Sequence, residues 1–290
     1  MEKNSPNETF HNFLKKTEIQ KLIYDSATKK TPKKRIPREI RRAVNLSCAL
    51  EPLSEKLGCT TRSSDVSPYL KLEYFISSAI NIGDAFEDLA IRISEEKGQP
   101  KKIYDLAFHA QEDCIRNRAG GRINQGIIEL LVPIVSAQMI YDIDFKKTTE
   151  EILEDAKIVM KRTSREDVDE LIQMKRLAFD MSAYHDRVIP IYPGVENVYD
   201  YYSVDFNNSG KATSRKHNEE FIRGFPTVKE LYQLIRASNK ISLNSRVEEA
   251  YSIVRSSLHE NVGKGKLTAD HVAAALYLLF SENKNEMIIV

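Results

Sequence analysis

With 43 Lys+Arg against 42 Asp+Glu over 290 residues, the chain carries a formal net charge of +1, which excludes a global electrostatic drive toward nucleic acid or a membrane surface. Hydrophobic residues make up 41% and charged residues 29%, a balance that supports a sizeable core and excludes a disordered or low-complexity chain. Eleven glycines and ten prolines are few for this length and argue against a many-turned β protein.

Residues 1–36 are polar and contain the basic cluster Lys29-Lys30-Thr31-Pro32-Lys33-Lys34-Arg35. A charged segment without apolar periodicity reads as a flexible arm, and with no aromatic residues interleaved it is not expected to bind nucleic acid. Residues 37–290 then form the folded part. Pro37 starts a helix at its favoured first-turn position, with Ile40, Val44, Leu46, Ala49 and Leu50 inward, ending near Pro52. A polar loop runs from Glu51 to Asp65. Ser67 and Pro68 open a long helix carrying Leu72, Phe75, Ile76, Ala79, Ala85, Phe86 and Leu89, which Gly98 closes. Another helix is expected from Ile103 to Ile115.

The stretch from Arg116 to Gly126 holds three arginines and three glycines, and it feeds the most apolar run of the chain, Ile127 to Ala137. That run reads as a helix buried on nearly all sides. A helix start presents unpaired N–H groups and the positive end of a dipole, glycine admits a close approach, and arginine grips phosphate with two donors. A phosphorylated ligand at the centre of a helical protein is therefore expected, against the plain alternative of a solvated loop before a core helix.

Thr148 or Thr149 starts a helix to about Lys161, and Ser164-Arg165-Glu166-Asp167 resembles a capping arrangement for the next. Tyr184 to His217 contains Pro190, Pro193, Gly194 and several tyrosines; it reads as too irregular for a helix and is expected to be a functional loop. Thr227-Val228-Lys229-Glu230 reads as a capping box, with further helices at about Ser245–Leu258 and Thr268–Ser281. The predicted architecture is all-α, a single compact multi-helix domain around a buried central helix. Cys48, Cys59 and Cys114 show no metal-ligand spacing and read as buried thiols. No secretion signal or membrane-spanning run is visible, so a cytoplasmic location is expected.

The order of these pieces resembles the triphosphoribosyl-dephospho-CoA synthase family, particularly its archaeal members. The resemblance is carried by Leu50-Glu51, Lys56-Leu57-Gly58, Arg62, Asp65, the helix Leu72 to Gly83, and Asn124-Gln125-Gly126-Ile127 leading into Leu131-Val132-Pro133. Pro193-Gly194 stands where the family has a Pro-Gly-Gly loop, and His271 to Ile289 resembles its last helix. Departures are Leu57 for proline, Thr61 for histidine, Ile123 for threonine, and two lost glycines after Gly194.

The resemblance implies an all-helical enzyme that uses ATP and Mg2+ to move a triphosphoribosyl group onto dephospho-CoA or another small-molecule acceptor, releasing adenine. It implies that Lys56 and Arg62 meet the triphosphate, with Gly58 admitting the backbone. Glu51 and Asp65 would hold magnesium or orient the incoming hydroxyl. Arg122, Asn124, Gly126 and Gly194 would line the nucleotide pocket. ATP is thus expected between the Glu51–Asp65 loop and the Arg116–Gly126 loop, under the Tyr184–His217 segment. Two alternatives stand beside it: a descendant that binds nucleotide or assembles without catalysis, and a His-Asp metal phosphohydrolase built from His109, His185-Asp186 and Asp200 or Asp205. The oligomeric state is open.

Overall fold

A computed structural model describes residues 36–116, 122–180, 188–210, 212–257 and 266–282. The described residues form twelve helices and no strand. The basic cluster of the arm, His185-Asp186 and most of Gly263-Lys264-Gly265-Lys266 lie outside them.

The first helices follow the apolar spacing of the sequence. α1 (Ile36–Leu50) buries Ile36, Ile40, Ala43, Val44 and Cys48 on one face. The long helix expected next is two: α2 (Leu72–Asn81) and α3 (Gly83–Glu95). It begins at Leu72 because the Asp65 carboxylate accepts the Leu72 N–H at 2.9 Å from seven residues back. It breaks beside Gly83, where a methyl group would lie 1.9 Å from Asn45 Oδ1 of α1, so the two backbones pack closer than any side chain allows. α4 (Tyr104–Ile115) follows.

α5 (Gln125–Tyr141) is the central helix. From Ile127 to Met139 every side chain is buried, including Glu129, Ser136 and Gln138. It packs against α3, α4, α6 (Thr149–Arg162), α7 (Arg165–Asp180) and the last helix, α12 (Lys266–Glu282). α12 is itself buried from Val272 to Leu279, so two helices enclosed through their middles share the core.

The caps expected on α6 and α7 are present. Thr148 and Glu151 close a reciprocal capping box. Asp167 bonds the Ser164 N–H at 2.9 Å, and its other oxygen accepts the N–H groups of Ile103 and Tyr104, so one carboxylate caps both α7 and α4.

Two expectations are corrected. The Tyr184–His217 segment is not irregular throughout: it holds α8 (Val198–Asn208) and the start of α9 (Ala212–Ile222). Val198, Tyr201 and Tyr202 are buried at helical spacing, and Asn197 caps α8 through the Asp200 N–H at 2.9 Å. Nor is Thr227 a helix cap. α10 (Pro226–Ala237) starts one residue earlier with Pro226 in its first turn, and Glu220 of α9 accepts the Thr227 and Val228 N–H groups. α11 (Leu243–Ser257) completes the set. No helix among the described residues is long and apolar enough to cross a membrane.

Candidate functional site

The head of α5 meets three other helices, α4, α7 and α12. Asn124 precedes the helix in left-handed backbone (φ 62°), a conformation an Asn tolerates better than most residues. Its amide contacts Cys114 Sγ of α4 at 3.9 Å, while its Oδ1 is buried without a partner. Arg122 lies over the Phe179 ring of α7, 4.7 Å from the centroid. Gly126 faces Asp270 of α12 so closely that a methyl group there would sit 2.1 Å from Asp270 Oδ2. The absence of a side chain at 126 therefore admits this protein's own carboxylate, placed at the positive end of the α5 dipole.

The second loop is more closed than its residue types foretell. Lys56 and Glu51 are both buried, 3.2 Å apart. The Lys56 ammonium also donates to the Glu51 and Ser54 carbonyls, so its three donors all face protein oxygens. Burial pushes the Glu51 carboxyl above its ordinary range, with Lys56 opposing. Gly58 turns the chain at φ 83°, and Cys59 N–H closes the turn onto the Lys56 carbonyl at 3.1 Å. Arg62 is exposed and held by Glu55 at 3.2 Å and by Glu248 of α11 at 3.8 Å. Asp65 is engaged with the first turn of α2.

The two loops approach each other through sulfur and carboxylate neighbours. The buried Cys48 thiol at the end of α1 lies in the electrostatic reach of Cys114, Glu51 and Asp270, and Cys59 in that of Glu51, Lys56 and Asp270. Glu51 and Lys56 on one side and the neighbours of Asn124 and Gly126, Cys114 and Asp270, on the other thus influence the same buried thiols. Gly194 is elsewhere. Arg165, the first residue of α7, donates to the Tyr192 and Val195 carbonyls at 3.3 and 3.1 Å and pins the Pro193-Gly194 turn there. Arg122 meets α7 at Phe179, about 21 Å further along its axis at about 1.5 Å per residue.

A groove of about 220 Å³ lined by Gly98, Pro100, Ile140, Tyr141, Arg162 and Thr163 also lies at the far end of α5 and touches none of the nominated residues. His109 is on the surface, 2.9 Å from Glu112, while Asp205 accepts from Tyr192 and Asn218.

Magnesium fits this set poorly. Glu51 is buried against Lys56, one oxygen of the exposed Asp65 accepts the Leu72 N–H, and no group of three or more potential ligands gathers among the described residues.

One turn inside the mouth lies a buried charge cluster. Glu129 is wholly enclosed, and its Oε2 meets Lys175 Nζ of α7 at 2.8 Å, His217 Nε2 of α9 at 3.0 Å and the Tyr202 hydroxyl of α8 at 2.7 Å. Gln125 donates to its other oxygen. Burial alone would raise the Glu129 pKa, but Lys175 and His217 outweigh it and hold the carboxyl far below its usual range. Burial keeps His217 below its ordinary pKa despite Glu129, and its Nε2 faces the Glu129 carboxylate. Tyr202 stacks on Phe221 with ring centroids 3.9 Å apart, which fixes the position of its hydroxyl.

Next to this cluster, buried polar atoms lack partners: the Tyr104 hydroxyl, both ends of the Gln111 amide, Asn124 Oδ1 and Gln125 Oε1. Tyr104, Gln111 and Cys114 share one stripe of α4, whose ends reach the field of Glu129 and the amide of Asn124.

Glu129 and Asp270 were absent from the nominated site. A lone carboxylate inside the most apolar run was the available signal for Glu129, because a buried charge requires a partner. Asp270 carried no such signal, since its approach to Gly126 arises only from the packing of α12.

The CitG family, ATP:dephospho-CoA triphosphoribosyl transferase, matches residues 37–254, about three quarters of the chain. The chain belongs to this family. No curated protein and no solved structure matches it. The triphosphoribosyl transferase match spans both loops and the central helix, whereas Arg255 and Asp270 stand beyond it.

Proposed function

We propose that the protein transfers the triphosphoribosyl group of ATP to a ribose hydroxyl of dephospho-CoA or a close analogue, releasing adenine. The observation that supports this best is the approach of the Glu51–Cys59 loop and the α5 head to each other around Asp270, within a chain matched to the transferase family.

In this reading the acceptor oxygen attacks C1′ of the ATP ribose. Its proton passes to Asp270, the C1′–N9 bond breaks with its electron pair leaving on adenine, and adenine takes up a proton from solvent. The positive charge that grows on the ribose faces the same carboxylate. The Asn124 and Gln125 amides supply polar contacts at the mouth, Arg122 flanks the entrance, and the Gly58 turn borders the phosphate side. Glu51 and Lys56 shape that turn through their mutual pair. Magnesium arrives with ATP as part of the substrate, as it does where few carboxylates are free to hold it.

The test is to incubate the protein with ATP, Mg2+ and dephospho-CoA and to separate the products by chromatography. Adenine in step with a product heavier by one triphosphoribosyl group supports transfer. Asp270→Asn is expected to lower kcat by about a hundredfold while leaving the melting temperature close to that of the unaltered protein.

The engagement of all three Lys56 donors favours one competing reading, nucleotide binding without transfer. ATP that raises the melting temperature without any adenine release would select it.

A further inference from the structure

Three cations among the described residues are buried: Lys56, Lys175 and Arg255. The first two have carboxylate partners. Arg255, on α11, is 8% exposed; no ion pair or hydrogen bond joins it to a described residue, and its Nε is enclosed without an acceptor. A guanidinium stays charged at any pH the protein meets, so it cannot escape this situation by losing a proton. An uncompensated buried charge destabilises a fold, and such a group persists where something else neutralises it.

Its position says what that is. Arg255 stands one helical turn after Tyr251, and side chains on a helix lean back over the preceding turn. The Tyr251 hydroxyl donates to the Leu57 carbonyl at 3.0 Å and lies 3.4 Å from Cys59 Sγ. Arg255 thus stands in the last turn of α11, on the buried face whose Tyr251 holds the Lys56–Cys59 turn, where Gly58 takes its left-handed conformation. The other positive features nearby are already engaged. Lys56 is saturated, Arg62 is bound by Glu55 and Glu248, and the α5 dipole faces Asp270.

We infer that Arg255 is an anion-binding residue that grips the polyphosphate chain of the nucleotide against the Lys56–Cys59 turn. The identity of the nucleotide rests on the transferase reading; the anion site does not. Guanidinium and phosphate match in two parallel hydrogen bonds, which a lysine cannot reproduce. The ribose then lies toward Asp270 and the phosphates toward α11, so that negative phosphate and the negative carboxylate are kept apart.

The test uses the full chain and inorganic tripolyphosphate, followed by calorimetric titration, with Arg255→Met and Arg255→Lys. The unaltered protein is expected to bind tripolyphosphate, Arg255→Met to bind it more weakly by about tenfold or more, and Arg255→Lys to fall between. The ligand-free Arg255→Met protein is expected to melt above the parent, because an unpaired charge has been removed; a purely structural arginine would give the opposite shift. In turnover, KM for ATP rises in both variants while kcat changes little.

No binding by the parent, or equal binding by parent and Arg255→Met, overturns the proposal. If Arg255→Met does not fold, parental affinity in Arg255→Lys overturns it as well. Tripolyphosphate binding that depends on Arg255, with no adenine released from ATP, leaves the anion site standing and removes the transfer reading. Adenine release with ATP kinetics unchanged in Arg255→Met does the reverse.

Discussion

Two buried carboxylate–ammonium pairs, Glu51–Lys56 and Glu129–Lys175, have the same chemistry and opposite electrostatic outcomes. Glu51 and Lys56 are five residues apart, and Lys56 opposes the burial of the carboxyl without overcoming it, so its pKa rises. Glu129 draws partners from α5, α7, α8 and α9, and the added donors hold it ionised in a site at least as enclosed. Burial is the first influence in both places; the attraction of Lys175 and His217 together at Glu129, against Lys56 at Glu51, decides which way each carboxyl shifts. The first pair is a local clasp on a turn. The second is a junction that fixes four helices behind the mouth of α5.

The largest expected effect that tests this contrast is Glu129→Leu, which leaves Lys175 buried without its anion and is expected to destabilise the fold by about 3–5 kcal/mol in urea unfolding. The double variant Glu129→Leu with Lys175→Met should recover most of that loss. If it does not, the remaining donors, Tyr202 and His217, carry more of the junction than the charge pair does. Glu51→Gln should be milder, about 2 kcal/mol, because two backbone carbonyls still hold the Lys56 ammonium.

Acid titration separates the pairs by sign. Glu129 has a lowered folded pKa, so its contribution is present above the ordinary glutamate value of about 4.3 and is lost as pH falls below it. His217, also lowered, adds a loss that begins as pH falls through about 6.5, where the unfolded chain takes up the proton first. Glu51, with a raised folded pKa, acts the other way and gains stability as pH falls from neutral toward about 4.3. Urea midpoints from pH 7 to pH 4 should therefore fall less steeply in Glu129→Gln and more steeply in Glu51→Gln than in the parent. Parallel curves would show that neither carboxyl is shifted.

Smallest of all should be Arg62→Ala. Its partners are at the surface, and such pairs contribute about 0.2–1 kcal/mol. A large rise in KM for ATP in this variant would restore Arg62 as a direct phosphate ligand.

Most of the helical framework was readable because it depends on local spacing. The faces of α1 and α4, the capping of α6 and the all-round burial of α5 follow from residues within a few turns of each other. α8 was missed because prolines, a glycine and a dense run of tyrosines masked the helical spacing of Val198, Tyr201 and Tyr202. The break at Gly83 and the cap on α10 depend on Asn45 and Glu220, which are brought close by packing.

The site followed the same rule. Asn124 and Gly126 could be placed at a helix mouth from their own sequence. That Lys56 is saturated, that Gly126 faces Asp270 and that Arg255 is buried without a partner are properties of tertiary packing. Residue type located the loops; only packing showed which of their charged groups already have protein partners.

The three cysteines of the chain are all enclosed, and burial raises the thiol of Cys48 well above its ordinary value and that of Cys59 to about 11. Thiolate is the species that alkylating reagents attack, so the native protein should be almost silent toward maleimides. Ile241, 90% exposed between α10 and α11, then becomes a convenient address: Ile241→Cys would place a fluorophore or spin label at one position, with no need to delete the native sulfurs.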